Sequence, residues 1–173
     1  DVCNKITDKL IFRHPHIYGE YKANNAQEVS EMWEQVKLKE KGGNKTVLAG
    51  IPESLPALVK AYRIQDKVAN VGFDWEKRED VWAKVKEEIA EFEVEVDHMD
   101  EAKATEEMGD LIFALVNAAR LYNIRPDNAL EKTNAKFIKR FNYIEQKAKE
   151  KGQSLNDMTL DEMEALWQEA KKA

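Results

Sequence analysis

The sequence predicts an all-α protein, a bundle of antiparallel helices. Apolar residues recur at helical spacing along nearly the whole chain, while the alternating pattern of half-buried strands is essentially missing. Only seven Gly and four Pro occur among 173 residues, and 43% of the residues are hydrophobic. That is apolar material for one ordinary core, or for two small helical units. Charged residues make up 35% of the chain with both signs interspersed, unlike a disordered acidic tail. The net charge of −6 argues against nucleic-acid and anionic-membrane partners, which need a positive face. An anionic small substrate remains compatible, provided a metal or a local basic pocket supplies the opposite charge. A single cysteine, Cys3, excludes an internal disulfide framework and a multi-cysteine zinc site, and it is given no role. No apolar run approaches the ~20 residues that span a bilayer, and no signal-peptide pattern opens the chain, so a cytoplasmic location is expected.

The elements follow in order. The chain opens at Asp1 inside a helical pattern that Pro15 breaks, and His14 and His16 around that proline read as turn residues. Asn25-Ala-Gln-Glu28 has the form of a capping box and opens a helix to about Lys41, with Val29, Met32, Trp33 and Val36 on one face. The stretch Lys41 to Lys45 ends it and begins a loop to Pro52. Ser54 is expected to cap the next helix, with Pro56 in its first turn and Gly72 as its stop. A third helix is expected over Asp80–Val96, a break at Met99–Ala102, and a fourth, very apolar helix over Lys103–Tyr122. Arg125-Pro126 opens a fifth to about Lys151. Thr159-Leu-Asp-Glu162 caps a last short one containing Trp167.

An internal repeat overlays this order. Lys5, Lys9, Ile11, Arg13 and Ile17 match Lys132, Lys136, Ile138, Arg140 and Ile144 at an offset of 127 (132 − 5). Glu28, Trp33 and Lys37 match Glu162, Trp167 and Lys171 at an offset of 134 (162 − 28). Duplication explains these identities in register. The expected organisation is then residues 1–41 as the last helices of a truncated first unit, 42–53 as linker, and 54–173 as a complete second unit. The chain would be the C-terminal part of a longer protein.

The chemistry concentrates in the middle. Glu88 and Glu91 lie three apart on the third helix, and Glu107 and Asp110 three apart on the fourth. With ~100° per residue, each pair falls within a sector of about 60° beside its helix's apolar stripe. Those stripes are expected to be Val81, Val85, Ile89, Phe92 and Val96 on the third helix. On the fourth they are Met108, Leu111, Ile112, Leu115 and Ala119. Two helices joined by a short break pack antiparallel, so the pairs can face each other. Asp110 precedes a segment apolar nearly all round and is expected to be buried, where an unpaired carboxylate costs several kcal/mol. Either pair alone would read as a solvated face paired to Lys84 or Lys103. Both together call for a cation, and an all-oxygen set selects a hard one, Mg²⁺, or Mn²⁺ as a substitute. Glu95-Val-Asp-His98 has the spacing used in di-iron bundles, but no second such pair exists.

These motifs, within Val85-Lys-Glu-Glu-Ile89 and Glu106-Glu-Met-Gly-Asp-Leu-Ile-Phe113, resemble the signature of the MazG family of all-α nucleoside triphosphate pyrophosphohydrolases. Ile51-Pro-x-Ser-Leu-Pro-Ala-Leu58, Ala69-Asn-Val-Gly-Phe-Asp-Trp75, Lys136-Phe-x-x-Arg140-Phe and Arg13-His-Pro-His16 extend the resemblance to two-domain bacterial members, over essentially the whole chain. It implies that Glu88, Glu91, Glu107 and Asp110 bind Mg²⁺. It implies further that Lys84, Glu87, Lys103, Glu106, Lys136, Arg140 and Trp167 line the nucleotide site. Lys136 and Arg140, one helical turn apart, suit a triphosphate, and an indole such as Trp167 suits a base. Glu87 and Glu106 point away from the ligand sector, so their role rests on the resemblance. The implied activity is Mg²⁺-dependent hydrolysis of nucleoside triphosphates to monophosphate and pyrophosphate with broad base specificity, by a homodimer. Glu88 or Glu91 would position or activate the water. The alternatives are a dUTP/dCTP- or phosphoribosyl-ATP-specific enzyme, or a helical module that binds nucleotide without hydrolysing it.

Overall fold

The computed structural model describes residues 1–39 and 46–172. Among them are eight α-helices and no strand, as the periodicity predicts. They are α1 (Val2–Arg13), α2 (Pro15–Tyr18), α3 (Ala26–Lys39), α4 (Ala57–Ala69), α5 (Val81–Asp97), α6 (Glu101–Leu121), α7 (Pro126–Glu150) and α8 (Leu160–Ala170). Single 3₁₀ turns lie at Arg78–Asp80 and Leu155–Asp157. The stop expected at Lys41–Lys45 lies outside the described residues. By packing, the chain forms two compact units, Asp1–Pro126 and Asp127–Ala173.

In the first unit, α1 ends where Pro15 lacks the amide hydrogen needed to continue it. The α3 cap forms with one variation. Asn25 Oδ1 accepts from the Glu28 amide at 2.9 Å, but the Glu28 carboxylate accepts from the amide of Asn24, at 2.8 Å, rather than from that of Asn25. The Ser54 cap does not form. Pro56 itself holds the N-cap position, with ψ 142° and no side-chain cap. The reason is steric: a residue before proline is driven out of the helical region, so Leu55 cannot begin the helix that Ser54 would cap. Beyond α4, Gly72 takes φ +90°, a conformation in which Phe73 N–H reaches back to the Val68 carbonyl at 3.0 Å. The break before α6 is shorter than expected. Asp100 caps the helix by accepting from the Lys103 amide at 3.1 Å, so α6 starts at Glu101 rather than at Lys103.

Helices α5 and α6 make the most extensive pairing, and α4 packs on α6. The core at their junction is Val81 and Val85 against Ala114 and Ala118, with Leu111 and Leu121 partly buried beside it. This corrects the expected stripes. Ile89 and Val96 on α5, and Met108, Ile112 and Leu115 on α6, are exposed. The inward seam instead follows 81, 85, 88, 92 and 95 on α5 and 107, 111, 114, 118 and 121 on α6, a 4-3 spacing. Small Ala114 and Ala118 allow close approach along this seam. Its consequence is chemical, because Glu88, Glu95 and Glu107 occupy seam positions that a purely structural pair would fill with apolar residues.

In the second unit, Ile144, Ala148, Leu166 and Ala170 are buried, and Trp167 packs on Phe137 with ring centroids 5.0 Å apart. Here the capping box is complete: Thr159 Oγ accepts from the Glu162 amide, and the Glu162 carboxylate accepts from the Thr159 amide at 2.8 Å. The Thr159 amide and hydroxyl both donate to the Glu162 carboxylate and hold its pKa below the ordinary 4.5. Its contribution to stability is therefore present above that value and is lost as pH falls through the lowered one. The protection factor of the Thr159 amide should hold down to about pH 4.5 and fall below it, as the carboxylate that accepts its bond is protonated. A Thr159→Ala variant, losing about 1 kcal/mol of capping, should exchange quickly throughout.

Candidate active site

The seam carboxylates converge. Glu88, Glu107 and Asp110 each offer one oxygen, and all three lie within 4.8 Å of one another. That spread approaches the ~3–4 Å separating neighbouring ligand oxygens around a Mg²⁺ with bonds of ~2.1 Å. Hard carboxylate oxygens with no sulfur or imidazole among them suit such an ion. Glu88 is buried, Glu107 half-buried and Asp110 exposed. The expected burial of Asp110 therefore fails. It sits about 60° off the seam by helical phase, and the apolar residues that follow it are only intermittently buried.

Glu91 occupies the matching flank position on α5, is exposed, and stands outside the three-oxygen group. It is near enough to act on Glu107. Partial burial first, then the charges of Glu91, Asp110, Glu88 and Glu95, push the Glu107 carboxyl above 4.5. A cation among these groups would reverse that sign.

The basic residues divide. Lys84 Nζ bonds Glu88 at 2.6 Å and Glu87 at 2.8 Å, and these two acids raise its pKa strongly. Glu87 is thus brought to the site through Lys84 although its helical phase points away. Lys103 is exposed and lies 3.9 Å from Glu95 and 3.8 Å from Asp100, toward the turn rather than the three-oxygen group. Glu106 is exposed. Lys136, Arg140 and Trp167 belong to the second unit. There the Arg140 guanidinium lies over the Trp167 ring, 5.4 Å from its centroid, and Lys136 is exposed one turn earlier.

A cavity of about 550 Å³ opens beside the acidic group, with Lys84, Glu88 and Asp110 in its wall. Gln65, Phe73, Trp75, Asn117 and Arg120 also line it, and sequence reasoning assigned none of them to the site. Two signals were available: an amide within the apolar α4 pattern at Gln65, and another inside the apolar run of α6 at Asn117. Neither declares a cavity until α4 is placed against α6. Among the described residues no helix is long and apolar enough to cross a membrane.

Comparison with known proteins agrees with this geometry. The family model of the MazG nucleotide pyrophosphohydrolase domain matches residues 76–144, the segment holding all four carboxylates. The nucleoside triphosphate pyrophosphohydrolase of Escherichia coli K12 is 43% identical over 176 residues, spanning 99% of this chain and 67% of that protein. The nucleoside triphosphate pyrophosphohydrolase/pyrophosphatase MazG of Thermotoga maritima is 36% identical, spanning 99% of this chain and 65% of its own length. The uncharacterized protein YabN of Bacillus subtilis is 47% identical over 99% of this chain, which covers 36% of that protein. With its acidic helices inside the matched segment and its full length aligned to these relatives, the chain belongs to the MazG nucleotide pyrophosphohydrolase family.

Proposed function

We propose that the chain hydrolyses nucleoside triphosphates to nucleoside monophosphate and pyrophosphate, with Mg²⁺ or, in its place, Mn²⁺. The observation that carries this reading is the group of Glu88, Glu107 and Asp110 oxygens on the α5–α6 seam. These residues would hold the ion, with Glu91 as the fourth carboxylate of the set. Bound there, the ion supplies positive charge to the triphosphate and to the departing pyrophosphate.

The side chains supply the rest. Glu88 is engaged by Lys84 and committed to the three-oxygen group, whereas Glu91 is exposed and outside it. Glu91 is therefore assigned to take the proton of the attacking water. A bond forms from water oxygen to the α-phosphorus, the bond to the α,β-bridging oxygen breaks, and pyrophosphate leaves. Lys84, held by Glu87 and Glu88, keeps an ammonium at the cavity wall for a phosphate oxygen. Lys136 and Arg140 are proposed as phosphate-binding cations and Trp167 as a nucleotide-facing ring, on a surface of the second unit. Lys103 and Glu106 keep the nucleotide role that the family pattern implies. Broad base specificity is part of the proposal, as is descent of residues 1–41 and 54–173 from one duplicated unit.

A homodimer is proposed on a separate observation. Ile89, Val96, Met108, Ile112 and Leu115 are exposed apolar residues on the α5–α6 pair, flanking the seam on the side away from Glu91 and Asp110. Apolar area of this kind is characteristic of an interaction surface. Sedimentation should give a dimer for the unaltered chain and a monomer for Ile112→Glu; a monomeric unaltered chain would contradict the proposal.

For the activity itself, Glu91→Gln should lower kcat by about 10²–10⁴-fold, and Asp110→Asn should abolish metal-dependent pyrophosphate release. Both variants should keep the helical circular dichroism spectrum. Full turnover in either would refute the assignment.

A further inference from the structure

We infer that Arg120 is a positioning residue: by gripping Asp74 it latches the loop of residues 70–80 into the wall beside the carboxylates. Release of that one fork lets the loop swing open. Its use in admitting substrate and releasing product rests on the pyrophosphohydrolase reading.

The loop joins α4 to α5 and brings Phe73, Asp74 and Trp75 into a wall shared with Glu88 and Asp110. Every residue from 71 to 80 is exposed, so buried apolar area does not hold the segment in place. Its backbone adds no long-range tie. Among the described residues its backbone hydrogen bonds are local, as in Phe73 N–H to the Val68 carbonyl at 3.0 Å and Asp80 N–H to the Lys77 carbonyl at 3.1 Å. At the far end the Arg78 guanidinium lies over the Tyr122 ring, 5.1 Å from its centroid, an exposed contact of the weak kind. The position of the loop is therefore left to Asp74.

Arg120 is prepared to receive it. Its side chain is only 11% exposed on α6. Asn117 Oδ1, one turn earlier, accepts from Nε at 3.2 Å and from Nη2 at 2.9 Å, which sets the guanidinium plane without any help from the loop. Nη1 and Nη2 then donate to the two Asp74 oxygens, Nη1 to Oδ2 at 3.0 Å. Such a bidentate pair is directional as well as strong, so it selects one placement of the loop. The Asp74 carboxylate also accepts from the Trp75 amide at 2.9 Å, so the following indole is carried with it. Before Asp74, Gly72 stands at φ +90° with nothing within 4 Å of where a Cβ would lie, an unobstructed pivot. A pivot, an exposed segment and a single strong fork are the parts of a loop that opens as a unit.

Amide hydrogen exchange read by NMR, with ATP kinetics in Mg²⁺, tests this on Asp74→Asn, Arg120→Lys and the two combined. Asparagine keeps the shape without the charge, and lysine keeps the charge without the fork. Each single change should speed exchange of the Phe73 amide about tenfold, the worth of one charge-assisted bond. KM for ATP should rise by a similar factor, with the effect falling on KM rather than on kcat. Because both residues act through one fork, the combined variant should match the single ones instead of multiplying them. Exchange in the Val81, Val85, Ala114 and Ala118 core should stay native. A native Phe73 rate in both single variants, multiplied effects in the combined one, or a native KM with a loosened loop would overturn the inference. Equal acceleration of the core would also overturn it, marking Arg120 as merely structural. Absent ATP turnover in the native chain would count against the hydrolase reading alone, with exchange still deciding the latch.

Discussion

Carboxylates placed on a helix–helix seam repel one another, and the pairing of α5 with α6 puts three of them there. Val81, Val85, Ala114 and Ala118 draw the helices together at one end, while Glu88, Glu95 and Glu107 occupy the following seam positions. Partial burial first, and then the neighbouring carboxylate charges, push the Glu107 carboxyl upward. Lys84 relieves Glu88 from one side only. In the proposed function a divalent ion would supply what the rest of the seam lacks, and the same ion would give a negatively charged chain affinity for a negatively charged substrate. Packing, electrostatics and substrate choice thus meet at one point.

The proposed function gives the phosphates to the acidic group and Lys84. The adjoining cavity, bounded by the Arg120–Asp74 ion pair and by the aromatic residues of the loop after α4, is largely apolar away from the acidic group. Gly72 makes that arrangement possible, since its left-handed conformation turns the chain so that Phe73 and Trp75 follow directly on α4.

Much of this was legible in the sequence. Helical periodicity gave the all-α class; the cap at Thr159 forms as read, and that at Asn25 forms with its return bond shifted to the Asn24 amide, because capping depends on residues three apart. The two acidic pairs were visible for the same reason. Phase was harder. Ile89 and Ile112 read as core because they are apolar, yet the seam passes through Glu88 and Glu107, and no local rule predicts that a helix will turn its carboxylates inward. Ser54 caps nothing because Pro56 holds Leu55 out of the helical region, a constraint that overrides the capping preference of serine. Gln65 and Asn117 were illegible as site residues, since they meet only through the packing of α4 on α6.

The central claim is that a divalent ion is held by Glu88 and Glu107 of the seam together with Asp110 on its flank. Its most direct test is anomalous diffraction from crystals of the protein grown with Mn²⁺. The account predicts an anomalous peak bonded to oxygens of Glu88, Glu107 and Asp110 at about 2.1–2.2 Å. A map with no peak there, and with Glu88 still paired to Lys84 alone, would contradict it.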